Sequence, residues 1–408
     1  MNELHPVSRR NILAMAAVGA GGFLAGKQPA RGDSPQPNPV AGQKAATLRW
    51  GIIGTGTRGA FTHIPTLKEA PDSELIALCD VSEERLQAAA AKVAHPVTTY
   101  ADYQKLLANP DINAVVIATP NLLHREMLSA AIQAGKHVLC EKPAGASPTD
   151  AIEMEQSAGS TKNVLMFGMQ YRNSAKSRKF TELVSAGHIG KPRYMIQNCS
   201  RGDWNLSPNV WRYADPNRHG ELVNWRFAHA ASGGTLNEFS CHYLDLLHGY
   251  AGGLPEAISC EGGISVYHDG RDTWDHATVT LKYSNDLTAV HTLCLFGQGH
   301  ADLQIIGDEG SIESVGDTFK FTQFVTREGK KKSAKVQKIE LNEPPSHGVD
   351  SAVLELYKDF LACVQTGKKP DASPARALAA SRTCWLAEAA SDRKAEVKWD
   401  ELVEQHRT

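Results

Sequence analysis

Three groups of residues in this sequence have types and spacings that can do chemistry. The first is Gly54-Thr55-Gly56-Thr57-Arg58-Gly59, which directly follows the apolar run Leu48–Ile53 and opens a helical pattern. Glycines spaced this way at a strand-to-helix turn permit a tight turn, close approach of backbone to a pyrophosphate, and packing of helix on strand. Unpaired N–H groups at the helix start then face the anion. Asp80 ends the next apolar run, 21 residues past Gly59. A carboxylate there can accept from the ribose hydroxyls and repels a 2′-phosphate, so it selects NAD over NADP.

The second group is Glu141-Lys142-Pro143 at the end of another apolar run, with Thr119-Pro120-Asn121-Leu122-Leu123-His124 after the run before it. Ligands of open α/β sheets bind beyond the carboxyl ends of the strands, so both segments stand at the ligand edge. Pro143 holds Lys142 on an extended backbone, from which its ammonium can reach a hydroxyl that must lose its proton. The third group is Glu238, His242 and Asp245, following Gly233-Gly234. Spacings of four and three put them on one face of a helix. A histidine between carboxylates is a general-base candidate, its tautomer fixed and its basicity raised by them. A satisfied core histidine and a Glu/His/Asp metal site are the other two readings, and no further residues complete a metal set.

These groups need elements to position them. The apolar runs Leu48–Ile53, Leu75–Cys79, Ala114–Ala118, His137–Cys140 and Val164–Phe167 alternate with amphipathic stretches such as Ser82–Lys92 and Leu123–Ala134. That pattern predicts a doubly wound parallel sheet with crossover helices. After about Gly190 the pattern changes to long alternating segments: Thr278–Tyr283 and Leu287–Leu295 around a Ser284-Asn285-Asp286 turn, then Leu303–Ile306 and Phe319–Val325. They predict a large open antiparallel or mixed sheet. Helical stretches at 351–365 and 373–390 close the chain, and Lys330-Lys331-Lys332 reads as a solvated hairpin tip. The fold class is α/β: an N-terminal Rossmann doubly wound sheet at 47–168 and a C-terminal α/β domain at 169–408, with helices at 351–390 packing back.

With 408 residues, 42% apolar and 22% charged, the chain has the composition of an ordinary globular protein. A net charge of -2 provides no field for nucleic acid or anionic lipid. Eight cysteines without a Cys-x-x-Cys pair give no zinc or redox spacing and read as buried free thiols. The first 46 residues read as a leader and a Pro-rich linker. Ser8-Arg9-Arg10-Asn11-Ile12-Leu13 precedes an apolar stretch too short and too weakly hydrophobic to span a bilayer. It resembles the bacterial twin-arginine (Tat) export signal, with Ile12 where that signal usually has Phe and Ala14 where it has Lys. The expected location is periplasmic or otherwise exported, reached by the Tat machinery, which carries proteins already folded.

In order and spacing, the glycine loop, the acidic end of the second strand, Thr-Pro-Asn-x-x-His, Glu-Lys-Pro and Gly-Gly-x-Leu-x-Glu-x-x-x-His-x-x-Asp resemble the Gfo/Idh/MocA oxidoreductases, from Leu48 to about Ala390. The resemblance implies that Lys142 and His242 act on a substrate hydroxyl, with Glu238 standing where the family has aspartate. It also implies a homo-oligomer, dimer or tetramer, assembled through the open sheet, and members with a Tat signal tend to hold their cofactor tightly. The expected cofactor contacts are Gly54, Thr55, Gly56, Thr57, Arg58, Gly59 and Asp80, with Thr119, Asn121, His124 and Glu141 at the nicotinamide end.

Trp204, Trp211 and Trp225 are interleaved with Arg201, Asp203, Arg212, Asn224 and Arg226. Flat indoles beside hydrogen-bonding side chains suit a sugar, and they equally suit a plug at a domain junction. Trp204, Trp211 and Arg212, with Tyr171, Arg172 and Asp245, are the expected substrate contacts. The function expected is an exported NAD-dependent oxidoreductase acting on a sugar or glycoside hydroxyl. Two alternatives stay open: a redox-cycling NAD-dependent glycosidase of the family 109 type, and a non-catalytic sugar-binding protein on the same scaffold.

Overall fold

The computed structural model describes residues 47–202, 212–214, 222–315, 318–327, 330–340 and 349–401. Six strands form an all-parallel sheet: β1 (Leu48–Ile53), β2 (Ser73–Cys79), β3 (Thr98–Tyr100), β4 (Ala114–Ile117), β5 (His137–Cys140) and β6 (Leu165–Phe167). Their order is β3-β2-β1-β4-β5-β6. Helices cover both faces, so the central strands are buried throughout; every residue of β4 is buried. The strand order reverses between β1 and β4, which opens a crevice at their carboxyl ends. Gly54 leaves β1 at that point with φ of 97°, and a Cβ on it would stand 2.6 Å from the Ala118 carbonyl oxygen at the end of β4. Only glycine fits there.

The sequence pattern did not reveal β3. Its three residues, Thr-Thr-Tyr, lie at the sheet edge with two of them exposed, so no apolar run marks it.

The second sheet has nine strands in the order β16-β15-β14-β13-β7-β12-β11-β10-β17. They are β7 (Pro192–Ser200), β10 (Ala257–Gly263), β11 (His276–Lys282), β12 (Thr288–Cys294), β13 (His300–Gly307), β14 (Gly310–Val315), β15 (Thr318–Arg327), β16 (Lys330–Glu340) and β17 (Val397–Lys398). A separate hairpin joins β8 (Arg212–Ala214) to β9 (Leu222–Asn224). The sheet is mixed: β7 and β12 pair in parallel, and the other neighbours are antiparallel. Buried and half-buried residues alternate along β12, as they must in a strand with one covered face. Asp286, at φ 60°, makes the β11–β12 turn. Lys330 pairs with Arg327 and opens β16, so the three lysines begin a strand rather than form its hairpin tip.

Helices Cys241–Ala251 and Pro374–Arg393 lie over the covered face. The other closing helix, Ser351–Thr366, returns to the first sheet. There Trp50 of β1, fully buried, meets Tyr357 edge-on at 5.2 Å and Phe360 at 4.9 Å between ring centroids. Truncating such an indole costs roughly 3–5 kcal/mol. All eight cysteines are free thiols, seven of them buried. Among the described residues no helix is long and apolar enough to cross a membrane.

Candidate active site

The glycine loop runs from β1 into a helical segment whose first full turn, Gly59–His63, is π-wound before Ile64–Glu69 continues as α-helix. A Cβ on Gly56 would meet nothing within 4 Å, so the loop has an open side where a pyrophosphate can approach backbone. A Cβ on Gly59 would collide with the Gly54 carbonyl. Asp80 follows β2 and faces this loop. Its Oδ2 accepts from the Thr55 N–H at 2.7 Å and the Thr55 hydroxyl at 3.1 Å, and its Oδ1 accepts from the Ser82 N–H at 2.9 Å. A carboxylate has about four acceptor positions, so one remains for a ribose hydroxyl while Thr55 holds on. Asp80 thus also fixes the loop, a second role beyond ribose recognition. Thr57 is exposed at the start of the helical turn. The open glycine, the carboxylate and the switch-point crevice fit a dinucleotide.

Lys142 follows β5 and reaches across to the second half of the chain. Its Nζ donates to the Glu238 carbonyl oxygen at 2.6 Å and to Glu238 Oε1 at 3.2 Å. Arg226 Nε donates to the same Oε1 at 2.8 Å, and Asn121 Nδ2 donates to Oε2 at 2.7 Å. Burial raises the Glu238 pKa, but Lys142 and then Arg226 outweigh it and hold the carboxyl at about 2. Two cations thus meet one buried anion, and Lys142 also acts on His242. That ring is also buried, its Nδ1 has no hydrogen-bond partner, and it stacks on Tyr171 at 4.2 Å between centroids. Burial first and the Lys142 charge second push its pKa down to about 3, so the imidazole is neutral.

This corrects the picture of a histidine oriented by carboxylates. Glu238 belongs to the π-wound turn Leu236–Ser240 and is bound by Lys142, Arg226 and Asn121. Asp245 accepts twice from Arg172 Nη1, at 2.8 Å to each oxygen, while Arg172 Nε donates to Asp371 at 2.9 Å. Arg172 thus holds both carboxylates through Nε and Nη1, so Asp245 is bound by Arg172 rather than set to orient His242. The expected tuning runs in the opposite direction: His242 is made less basic, by desolvation and a neighbouring cation.

The four residues expected at the nicotinamide end are each engaged within the protein. Asn121 also donates to the Ser232 carbonyl at 2.9 Å, so it joins the two halves of the site. Both ring nitrogens of His124 face carbonyls, Pro143 at 3.1 Å and Thr119 at 3.0 Å, which ties the loop after β4 to the Lys142-Pro143 turn. The Thr119 hydroxyl faces Met127 Sδ at 3.5 Å. Glu141 Oε1 accepts from Arg58 Nε at 2.7 Å and lies 3.0 Å from His63 Nε2. Burial raises the Glu141 pKa, and Arg58 together with His63 more than reverses it, so the carboxyl is ionised. An ionised carboxylate only accepts, so His63 Nε2 carries the proton and Nδ1 accepts from the Tyr357 hydroxyl, 2.9 Å away.

Arg58 therefore links the glycine loop to the Glu-Lys-Pro turn, and its buried Nη2 remains unpartnered. Sequence reading missed His63 and Tyr357. Arg226 was grouped with the sugar-facing indoles; it lies over Trp225 at 4.2 Å while holding Glu238. Trp204 and Trp211 lie outside the described residues, and of Arg212 only its place in β8 is described. No group of three or more potential metal ligands occurs among the described residues.

Comparison with known proteins identifies the family. Residues 48–169 match the oxidoreductase family with the NAD-binding Rossmann fold, and residues 177–313 match the GFO/IDH/MocA C-terminal domain. The chain belongs to the Gfo/Idh/MocA oxidoreductases. It is an enzyme of that family with an NAD-binding Rossmann domain. A 1,5-anhydro-D-fructose reductase of Ensifer adhaerens is 33% identical over 270 residues, 65% of this chain and 74% of the relative. A myo-inositol 2-dehydrogenase of Thermotoga maritima is 25% identical over 363 residues, covering 87% of this chain and all of the relative. Among solved structures, levoglucosan dehydrogenase in complex with NADH and levoglucosan aligns over 87% of this Gfo/Idh/MocA chain, with a TM-score of 0.72 at 20% identity.

Proposed function

We propose that this enzyme oxidises a hydroxyl-bearing carbon of a sugar or glycoside, and that it is exported already folded, with NAD tightly held. The observation that carries the reading is the meeting of Lys142, Glu238 and neutral His242 beyond the strand ends, on the side of the crevice where the glycine loop opens. The relatives are named for 1,5-anhydro-D-fructose, myo-inositol and levoglucosan, all hydroxylated rings, which supports a substrate of that class. Ser8-Arg9-Arg10 before an apolar stretch supports export through the Tat machinery to the periplasm.

NAD, when bound, supplies the hydride acceptor; Gly54–Gly59 and Asp80 would hold it. The Lys142 ammonium has three N–H groups and gives two hydrogen bonds to Glu238, so one remains to meet the substrate oxygen. The Lys142 charge stabilises that oxygen as it becomes an alkoxide. His242, held neutral, accepts the hydroxyl proton as the oxygen turns negative. Tyr171, stacked on the imidazole, sets the plane from which it can accept.

The test is Lys142→Met. Turnover should fall by about 10²–10⁴-fold, while NAD affinity stays within about twofold of wild type, because Lys142 bonds Glu238 and not the loop. Loss of NAD binding with turnover unchanged in the residual holoenzyme would contradict the assignment.

A further inference from the structure

Beside the candidate site lies a cavity of about 590 Å³, which the hydride-transfer reading does not use. Helices Ala175–Ser185 and Cys241–Ala251 bound it together with β7, β13 and β14. Its size lies within the range of small-molecule sites. Tyr171 borders both the site and the cavity: its ring stacks on His242, 17° from coplanar, and also lines the cavity. Tyr243 meets Tyr171 edge-on at 5.4 Å and forms the adjoining wall. Phe180 and Tyr250, 5.7 Å apart, line it further in. A second cavity, of about 620 Å³ past the end of β7, shares Tyr243 and Ala301 with the first.

Two features point to a ligand. The Tyr250 hydroxyl is buried and has no partner that meets hydrogen-bond geometry, although Ser177 stands alongside it. With Ser177, among the described residues, as the one group that acts on it by hydrogen bonding, this hydroxyl keeps bonding capacity for a ligand. The lining also presents aromatic rings and hydroxyls with one cation, Lys176, and one carboxylate, Asp302. Their charges offset, which disfavours a phosphate or a nucleotide and favours a neutral ring with apolar faces and a hydrogen-bonding rim.

Resting on the sugar-hydroxyl reading above, we propose that this cavity is the subsite for a second ring. The substrate is then a two-ring glycoside, an aryl glycoside or a disaccharide, rather than a free monosaccharide. The reacting ring sits at His242, and its neighbour lies beyond Tyr171 with an oxygen against the Tyr250 hydroxyl.

The experiment is isothermal titration of NAD-loaded enzyme with methyl glycosides, 4-nitrophenyl glycosides and disaccharides of the same sugars, with nicotinamide reduction followed in parallel. Two-ring ligands should bind about tenfold or more tightly than the matching methyl glycosides. Leu246→Trp, which fills the cavity from its partly buried wall, should erase that difference. Tyr250→Phe removes only the hydroxyl and should reduce the difference without unfolding the protein, so a failure of the larger substitution to fold does not decide the matter. Equal affinity for one-ring and two-ring ligands, or a difference that survives both variants, overturns the subsite. Two-ring binding without any hydride transfer would sink the oxidoreductase reading and leave the subsite standing; hydride transfer from one-ring sugars with no gain from a second ring would do the reverse. No binding of any carbohydrate overturns both.

Discussion

Replacing Glu238 by glutamine removes the single negative charge on which Lys142 and Arg226 converge. The carboxyl titrates at about 2 against an ordinary 4.5, a difference worth about 3 kcal/mol at neutral pH. Glutamine also presents an amino group to donors that need an acceptor, which adds to the loss. The sign follows from a depressed pKa: the contribution is fully present above pH 4.5 and drains away as pH falls towards 2. Glu238→Gln should therefore cost about 3 kcal/mol at pH 7, and the gap from wild type should shrink to about 1.5 kcal/mol at pH 3. Urea unfolding followed by tryptophan fluorescence at both pH values measures it. A variant within about 0.5 kcal/mol of wild type at pH 7, or a gap that does not narrow at pH 3, would refute the reasoning, because the cations would then not depend on this carboxylate.

The glycine loop gives a paired prediction. Gly56→Ala places a methyl in open space, so stability should hold within about 0.5 kcal/mol while NAD affinity drops about tenfold or more; equal NAD binding would mean that the pyrophosphate lies elsewhere. Gly59→Ala meets the Gly54 carbonyl and should cost about 1–3 kcal/mol in thermal unfolding, and a neutral result would contradict the packing. With His242 held at about 3, log kcat/KM for oxidation should show no acid limb near the ordinary histidine value as pH falls from 8 to 5. A limb near 6.5 would show that His242 is not held neutral as described.

Much of the fold was legible because five of the six parallel strands are largely buried apolar runs between helices, and because the glycine loop and Asp80 announce themselves within one strand-helix-strand unit. The edge strand Thr98–Tyr100 was not, since nothing buries it enough to need apolar residues. The site divides in the same way. Lys142 and His242 sit in local motifs, and the structure brings them near each other. The bonds around them join residues far apart along the chain: Lys142 to Glu238 spans 96 residues, Asn121 to Glu238 spans 117, and His63 to Tyr357 spans 294. One-face spacing placed Glu238, His242 and Asp245 together, but not which neighbours would claim the carboxylates. Lys142, Arg226 and Arg172 each offer a charge, and a neutral imidazole cannot compete with them.

The central claim is that this site takes hydride from a sugar hydroxyl. One cuvette tests it: NAD-loaded enzyme with a panel of 4-nitrophenyl glycosides, recording nitrophenolate and reduced nicotinamide together. Reduced nicotinamide accumulating without nitrophenolate, and abolished in Lys142→Met, is the outcome predicted. Nitrophenolate released over many turnovers with no net reduced nicotinamide would contradict it and make the enzyme a redox-neutral glycoside-cleaving one.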